Sequence, residues 1–180
     1  MDTMLFTERS IWTMVHGIAL GGGALMGLAA ALFSLRTMRT VTPSDIAARN
    51  QARSLGLLLA LTALLLWLAV IIGTYVNFPP YRATPPEGLT DLSQYPRALI
   101  RANPGTEWLH SFAMESKEHL PWIAAMLTTA VAAVSLRYRV LVLSNRRLND
   151  MASMLVVVAI LLVAFASLLG VFVNKVAPLE

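Results

Sequence analysis

The sequence predicts an all-α integral membrane protein, a four-transmembrane-helix bundle with an ordered outer-side loop that contains a short helix. Three observations carry this expectation. Hydrophobic residues make up 57% of the 180 positions and charged residues 13%, against roughly 25% charged in ordinary soluble domains. A soluble fold of this length would leave large apolar patches in water. The apolar residues are also gathered into four runs, Ile11–Leu35, Leu55–Val76, Leu120–Leu136 and Met151–Val173, each near the roughly 20 residues that cross a bilayer. The third observation is the uneven placement of arginine.

The first run makes a helix over about 11–35. The residues before it carry Asp2, Glu8 and Arg9, so they lack the positively charged start of a cleaved signal peptide, and the apolar stretch exceeds a typical signal core. The run is expected to stay as a span. The second span covers about 55–76. The third run is short and extends to 120–142 by taking in Val140–Val142 at the cost of Arg137 and Arg139. The fourth covers about 151–173. The four spans form a single membrane domain, 1–180.

Orientation follows from the loops. Arg36, Arg39, Arg49 and Arg53 lie in 36–54, and Arg137, Arg139, Arg146 and Arg147 in 137–150, so two short loops hold eight of the 14 basic residues. By the positive-inside rule these loops face the cytoplasm. Both termini and the long 77–119 loop then lie outside, with every acidic residue except Asp45 and Asp150. The expected location is the inner (plasma) membrane, multi-pass, with periplasmic termini. The net charge of +4 thus reflects topology, and a nucleic-acid partner is excluded in favour of the lipid bilayer. In the 36–54 loop, Ser44 is placed to cap a short helix leading into the second span.

The outer loop opens on Asn77-Phe78-Pro79-Pro80-Tyr81 and runs through Pro85-Pro86, a pattern of extended chain. Asn103-Pro104 reads as a helix cap followed by a first-turn proline, starting a helix that continues to about Glu118 and on into the third span. Loops of this length are functional or disordered, and the aromatic content favours an ordered loop on the bundle mouth. Trp12, Trp108 and Trp122 fall near the outer boundary, where indole rings prefer to sit; Trp67 is midway along its span.

With no cysteine, disulfides, thiolate metal sites and covalently attached haem are excluded. Histidine then carries the candidate chemistry. His16, His110 and His119 all map to the outer side, and ionisable groups near or within a span point to function. A b-type haem is the most concrete reading, with axial ligands His16 and His119, or His110 in place of His119. Ala19, Gly23, Gly27 and Ala30 would form a small-residue strip below His16 against which a macrocycle lies. His110 and Met114 offer a further ligand pair, and Arg97, Arg101 or Lys117 would meet the propionates. The competing reading of Gly17, Gly21, Gly23 and Gly27 is helix packing through G-x-x-x-G spacings. A quinone pocket could use His16 or His119 with walls from Trp12, Trp108, Phe112 or Trp122. A non-haem metal site is disfavoured because His110 and His119, nine residues apart, point opposite ways on a regular helix. Transport is disfavoured because the interiors of the four expected spans hold no Asp, Glu, Lys or Arg. Two functions remain. One is a haem-b electron-transfer subunit between the quinone pool and an outer-side redox partner such as a cytochrome; the other is a non-catalytic accessory subunit contacting other subunits of a membrane complex.

The natural absence of cysteine makes orientation directly testable. Ser93→Cys should react with a membrane-impermeant maleimide added outside intact cells, and Ser144→Cys only after the cytoplasmic side is exposed. The reverse pattern would invert the topology.

Overall fold

Unbroken runs of Leu, Ala and Met favour helix, and each of the four apolar runs forms one. The computed structural model describes residues 6–38 and 46–177; Arg39, Ser44 and its capping role, and the terminal Asp2 lie outside them. The helices in chain order are α1 (Glu8–Thr37), α2 (Ile46–Arg82), α3 (Pro96–Arg101), α4 (Leu109–Tyr138), α5 (Val140–Ser144) and α6 (Arg146–Val176). No strand occurs among the described residues. Helices α1, α2, α4 and α6 are each long and apolar enough to cross a membrane. The described residues are therefore all-helical in their regular structure, and the four long apolar helices suggest a multi-pass membrane protein.

The four long helices pack as a ring in which α2 meets α4, α4 meets α6, α6 meets α1 and α1 meets α2. Helices α1 and α4, which carry the histidines, are diagonal. The core runs along the axis through Ala24, Leu28, Ala31, Leu35, Leu59, Ala124, Val156 and Ala159. Alanines and glycines at the contacts let the backbones approach, as helix packing in lipid requires. A Cβ on Gly27 would collide with the Thr62 side chain of α2, and one on Gly23 would sit 3.4 Å from Leu65 Cδ1.

One end of the ring is tied by polar contacts. Asn149 Nδ2 donates to the Leu35 carbonyl (3.0 Å) in full burial, and Asp150 pairs with Arg36 (3.5 Å) and Arg146 (3.7 Å). These ion pairs are exposed and contribute at most about 1 kcal/mol each. The other end, the loop end, carries the 83–108 segment. There a second cluster of Tyr81, Ile100, Leu109, Ala113, Met114 and Leu169 seats α3 on the bundle. Ile100 is completely buried, so the loop is packed, in keeping with its aromatic content.

Three boundaries differ from the sequence reading. Phe78–Arg82 continues α2 as helix where Pro79-Pro80 suggests extended chain. The preceding Gly73–Asn77 stretch is a π-helix, with Phe78 N–H bonded to the Gly73 carbonyl. A widened turn shifts the carbonyl that a proline ring would otherwise strike. The extended chain begins at Ala83 (ψ 136°). At Asn103-Pro104 the Asn103 Oδ1 accepts from Gly105 N–H (2.8 Å), making a local turn, and α4 starts only at Leu109. The third span ends at Tyr138 and does not take in Val140–Val142. Arg139 adopts a left-handed φ of 46° and starts the separate α5, whose Val142 and Leu143 are fully buried.

Gly27→Leu should force α1 from α2 and lower stability by about 1–3 kcal/mol, read as a reduced thermal midpoint of the purified full chain in detergent. An unchanged midpoint would show that the seam tolerates a side chain.

Candidate functional site

Regular helix gives way to π-helix at three places: Val15–Gly22 in α1, Gly73–Asn77 in α2 and Leu109–Met114 in α4. Such turns are rare and concentrate at functional sites. All three lie in the loop-end half of their helices, and each holds or adjoins a polar group of the candidate site.

His16 sits in the first of them. Its Nδ1 is 2.8 Å from the Ala69 carbonyl of α2. A carbonyl only accepts, so Nδ1 carries the proton and Nε2 of the neutral ring keeps a free lone pair. Gly73, one turn further along α2, makes room for the ring: a Cβ there would lie 2.8 Å from His16 Cε1. Lys117 of α4 reaches the same region. It is half-buried, and its charge acts on the His16 imidazole. Its Nζ lies 3.0 Å from the position a Cβ on Gly170 of α6 would take. The four long helices thus meet here through His16, Gly73, Lys117 and Gly170. Among the described residues, no hydrogen bond or ion pair engages the Lys117 ammonium. Lys117 lies on α4 just before the third apolar run, which the sequence reading starts at Leu120. Its neighbours Ser116, Glu118 and His119 make the stretch read as polar and interfacial, and the phase of α4 from Leu109 turns Lys117 inward.

The other candidates are placed elsewhere. His110 bonds the Tyr81 hydroxyl through Nδ1 (3.0 Å). His119 is exposed and donates from Nδ1 to the Glu115 carbonyl one turn back (2.7 Å); it stands on the same outward face of α4 as Trp122 and Met126. The three histidines are therefore not gathered on one another. No group of three His, Asp or Glu side chains among the described residues is arranged to hold a metal ion. Met114 packs into the loop-end cluster. Gly23 and Gly27 face Leu65 and Thr62 of α2, and Ala19 and Ala30 are exposed. The π-helix over 15–22 shifts Ala19 in phase from Gly23, Gly27 and Ala30, which follow it in ordinary α-helix.

The aromatic residues pair along the bundle surface. Trp67 and Trp122 make an edge-on contact (5.5 Å) while Trp67 Nε1 donates to Thr129 Oγ1 (3.0 Å), which gives the mid-span indole its partner. Trp108 meets Phe172 and Phe112 meets Phe165.

Arg97 and Arg101 of α3 do not act on His16. With Arg82 they surround the Tyr81–His110 pair, which Glu118 and Glu115 of α4 also approach. The three arginines, with Ala83, Thr84, Pro85 and Ala98, line a cleft of about 200 Å³. Arg82 lies over the Phe78 ring at 4.4 Å. Arg97 Nε is buried without a hydrogen-bond partner, a cost of about 1–3 kcal/mol. The loop end thus holds two polar centres, one in the helix ring and one under α3.

A half-buried ammonium without a counter-charge costs stability. Lys117→Met should raise the thermal midpoint of the ligand-free chain, by the equivalent of about 1 kcal/mol or more; a fall would mean that the ammonium is satisfied in the fold. Comparison of the chain with protein-family models, curated proteins and solved structures finds no match.

Proposed function

We propose that the chain is a membrane-embedded electron-transfer subunit, working at the loop end between the quinone pool and an outer-side redox partner, with a b-type haem held by His16. The observation that carries this reading is His16, whose ring is fixed by the Ala69 carbonyl and lies within reach of the charge of Lys117. An imidazole that donates from Nδ1 to a backbone carbonyl is oriented and polarised to ligate through Nε2. The half-buried Lys117 ammonium lacks a counter-charge, and a haem propionate would supply one. The residues present thus fit one axial ligand and one propionate partner. Haem bound there would supply one-electron transfer. The chain's own contribution is to fix the ring through Ala69, to clear space at Gly73 and to neutralise the propionate at Lys117. A second axial histidine is not offered from the positions that His110 and His119 occupy. The proposed setting is the inner (plasma) membrane, with both termini and the loop end on the periplasmic side.

The accessory-subunit reading has its own support. Each histidine already has a hydrogen-bond partner in the ligand-free fold, and Gly23 and Gly27 are used in helix packing.

The full chain purified from a haem-replete host should give a reduced-minus-oxidised spectrum with a b-type α-band. His16→Ala should abolish the band, and Lys117→Met should shift the midpoint potential. A colourless, folded preparation would overturn the haem reading. Co-purification of stoichiometric partners with that colourless protein would then favour the accessory role.

A further inference from the structure

The cleft under α3 stands apart from the His16 centre. Its wall contributes three guanidinium groups and no carboxylate. Among the described residues, none of the three arginines makes an ion pair. Glu115 and Glu118 of α4 act on the Tyr81–His110 pair and do not line the cleft. Like charges gathered without counter-charge repel one another, and a compact fold keeps them together at a cost.

The side chains themselves indicate what would relieve that cost. Arg82 is held by its stack on Phe78, so its planar face is covered while its N–H edge stays available. Arg97 is anchored in α3 beside buried Pro96 and Ile100, and its Nε is a buried donor with no acceptor. Arg101 lies one turn later on the same short helix. Thr84 adds a hydroxyl to the wall. Several guanidinium forks converging from different elements suit a tetrahedral, multiply charged oxyanion better than a single carboxylate, which one fork satisfies. The cleft, at about 200 Å³, is below the roughly 300–1,000 Å³ of pockets for drug-sized ligands, so it has room for a headgroup and not for a fused-ring cofactor.

Depth agrees with this chemistry. At 1.5 Å per residue the 37 residues of α2 span about 55 Å, well beyond a hydrocarbon layer of about 30 Å. Arg82 ends that helix, which is long enough to carry it beyond the hydrocarbon layer.

We propose that Arg82, Arg97 and Arg101 form a phosphate-binding site at the loop end, taking the phosphate group of an anionic membrane lipid or a free phosphate. The site is separate from the haem reading, because neither His16 nor Lys117 lines the cleft.

The test uses the full chain in a zwitterionic detergent, titrated with inorganic phosphate or with micelles doped with phosphatidic acid, and followed by thermal midpoint and tryptophan fluorescence. Either ligand should raise the midpoint of the wild type. A response to both identifies free phosphate as sufficient, and a response to phosphatidic acid alone identifies a lipid. Arg97→Ala and Arg101→Ala should each weaken binding on the order of tenfold or more, while Arg97→Lys, which keeps charge and loses the fork, should recover only part. Arg146→Ala, at the far end of the bundle, should bind as the wild type does. Binding unaffected by Arg97→Ala and Arg101→Ala, or no response to either ligand from folded wild type, would overturn the proposal. Any haem spectrum should persist in Arg97→Ala, which separates the two readings.

Discussion

The close approach of α1 to α2 decides where the candidate chemistry lies. Backbones come this near only where one partner lacks a side chain, and the seam meets that demand at several levels. Gly27 faces Thr62, Gly23 faces Leu65, and at the loop end the relation inverts, with Gly73 of α2 giving way to His16 of α1. The same contact that packs the helices therefore presses the imidazole onto α2, where the Ala69 carbonyl fixes its tautomer. A wider separation would leave His16 free to turn toward lipid or water, and its proximity to Lys117 would be lost.

Much of the architecture is legible in the sequence because apolar length is a strong signal in membrane proteins. Each of the four runs is a helix, and the 77–119 region packs on the bundle, although its short helix is Pro96–Arg101 and the stretch from Pro104 is a turn. The departures are local. Pro79-Pro80 reads as a helix breaker, yet a widened turn upstream lets the helix continue. Val140–Val142 reads as more span, yet Arg139 turns the chain out of α4. For the site, His16 is legible as an ionisable group just inside a helix, whereas its partner is not. Lys117 sits in a run of Glu, Ser, Lys, Glu and His that looks solvated, and a pattern cannot tell which of five polar neighbours faces inward. The start of α4 at Leu109 supplies that phase. The arginine cleft is hidden for a different reason: Arg82 and Arg97 are separated by an irregular segment whose path no periodicity describes.

The loop end departs from the rest of the bundle in its electrostatics. Elsewhere the core is largely Leu, Ala and Val, with hydroxyls such as Thr62 and Thr128 turned back onto their own helices (2.8 Å each) and the neutral Ser135 Oγ, Asn149 Oδ1 and Ser153 Oγ buried without a partner. At the loop end a lysine and three arginines lack ion-pair partners among the described residues, and Arg97 Nε is buried without an acceptor. Natural folds place cost of this kind where stability is traded for activity. Two separate centres share that character within one face of a small protein, one enclosed by helices and one by a loop.

The three π-helical stretches have a consequence beyond local geometry. A widened turn holds one residue more than the regular helix needs, and closing it rotates everything beyond by about 100°. Helices α1, α2 and α4 carry this slack only toward the loop end, while the half containing the Gly27–Thr62 contact runs in ordinary α-helix. Lengthwise, the molecule is thus a chassis of fixed phase joined to a head of adjustable phase. Single-residue insertions and deletions in the head can redirect His16 or His110 while the chassis keeps its packing, which gives lineages a short mutational route to a new binding specificity on an unchanged bundle.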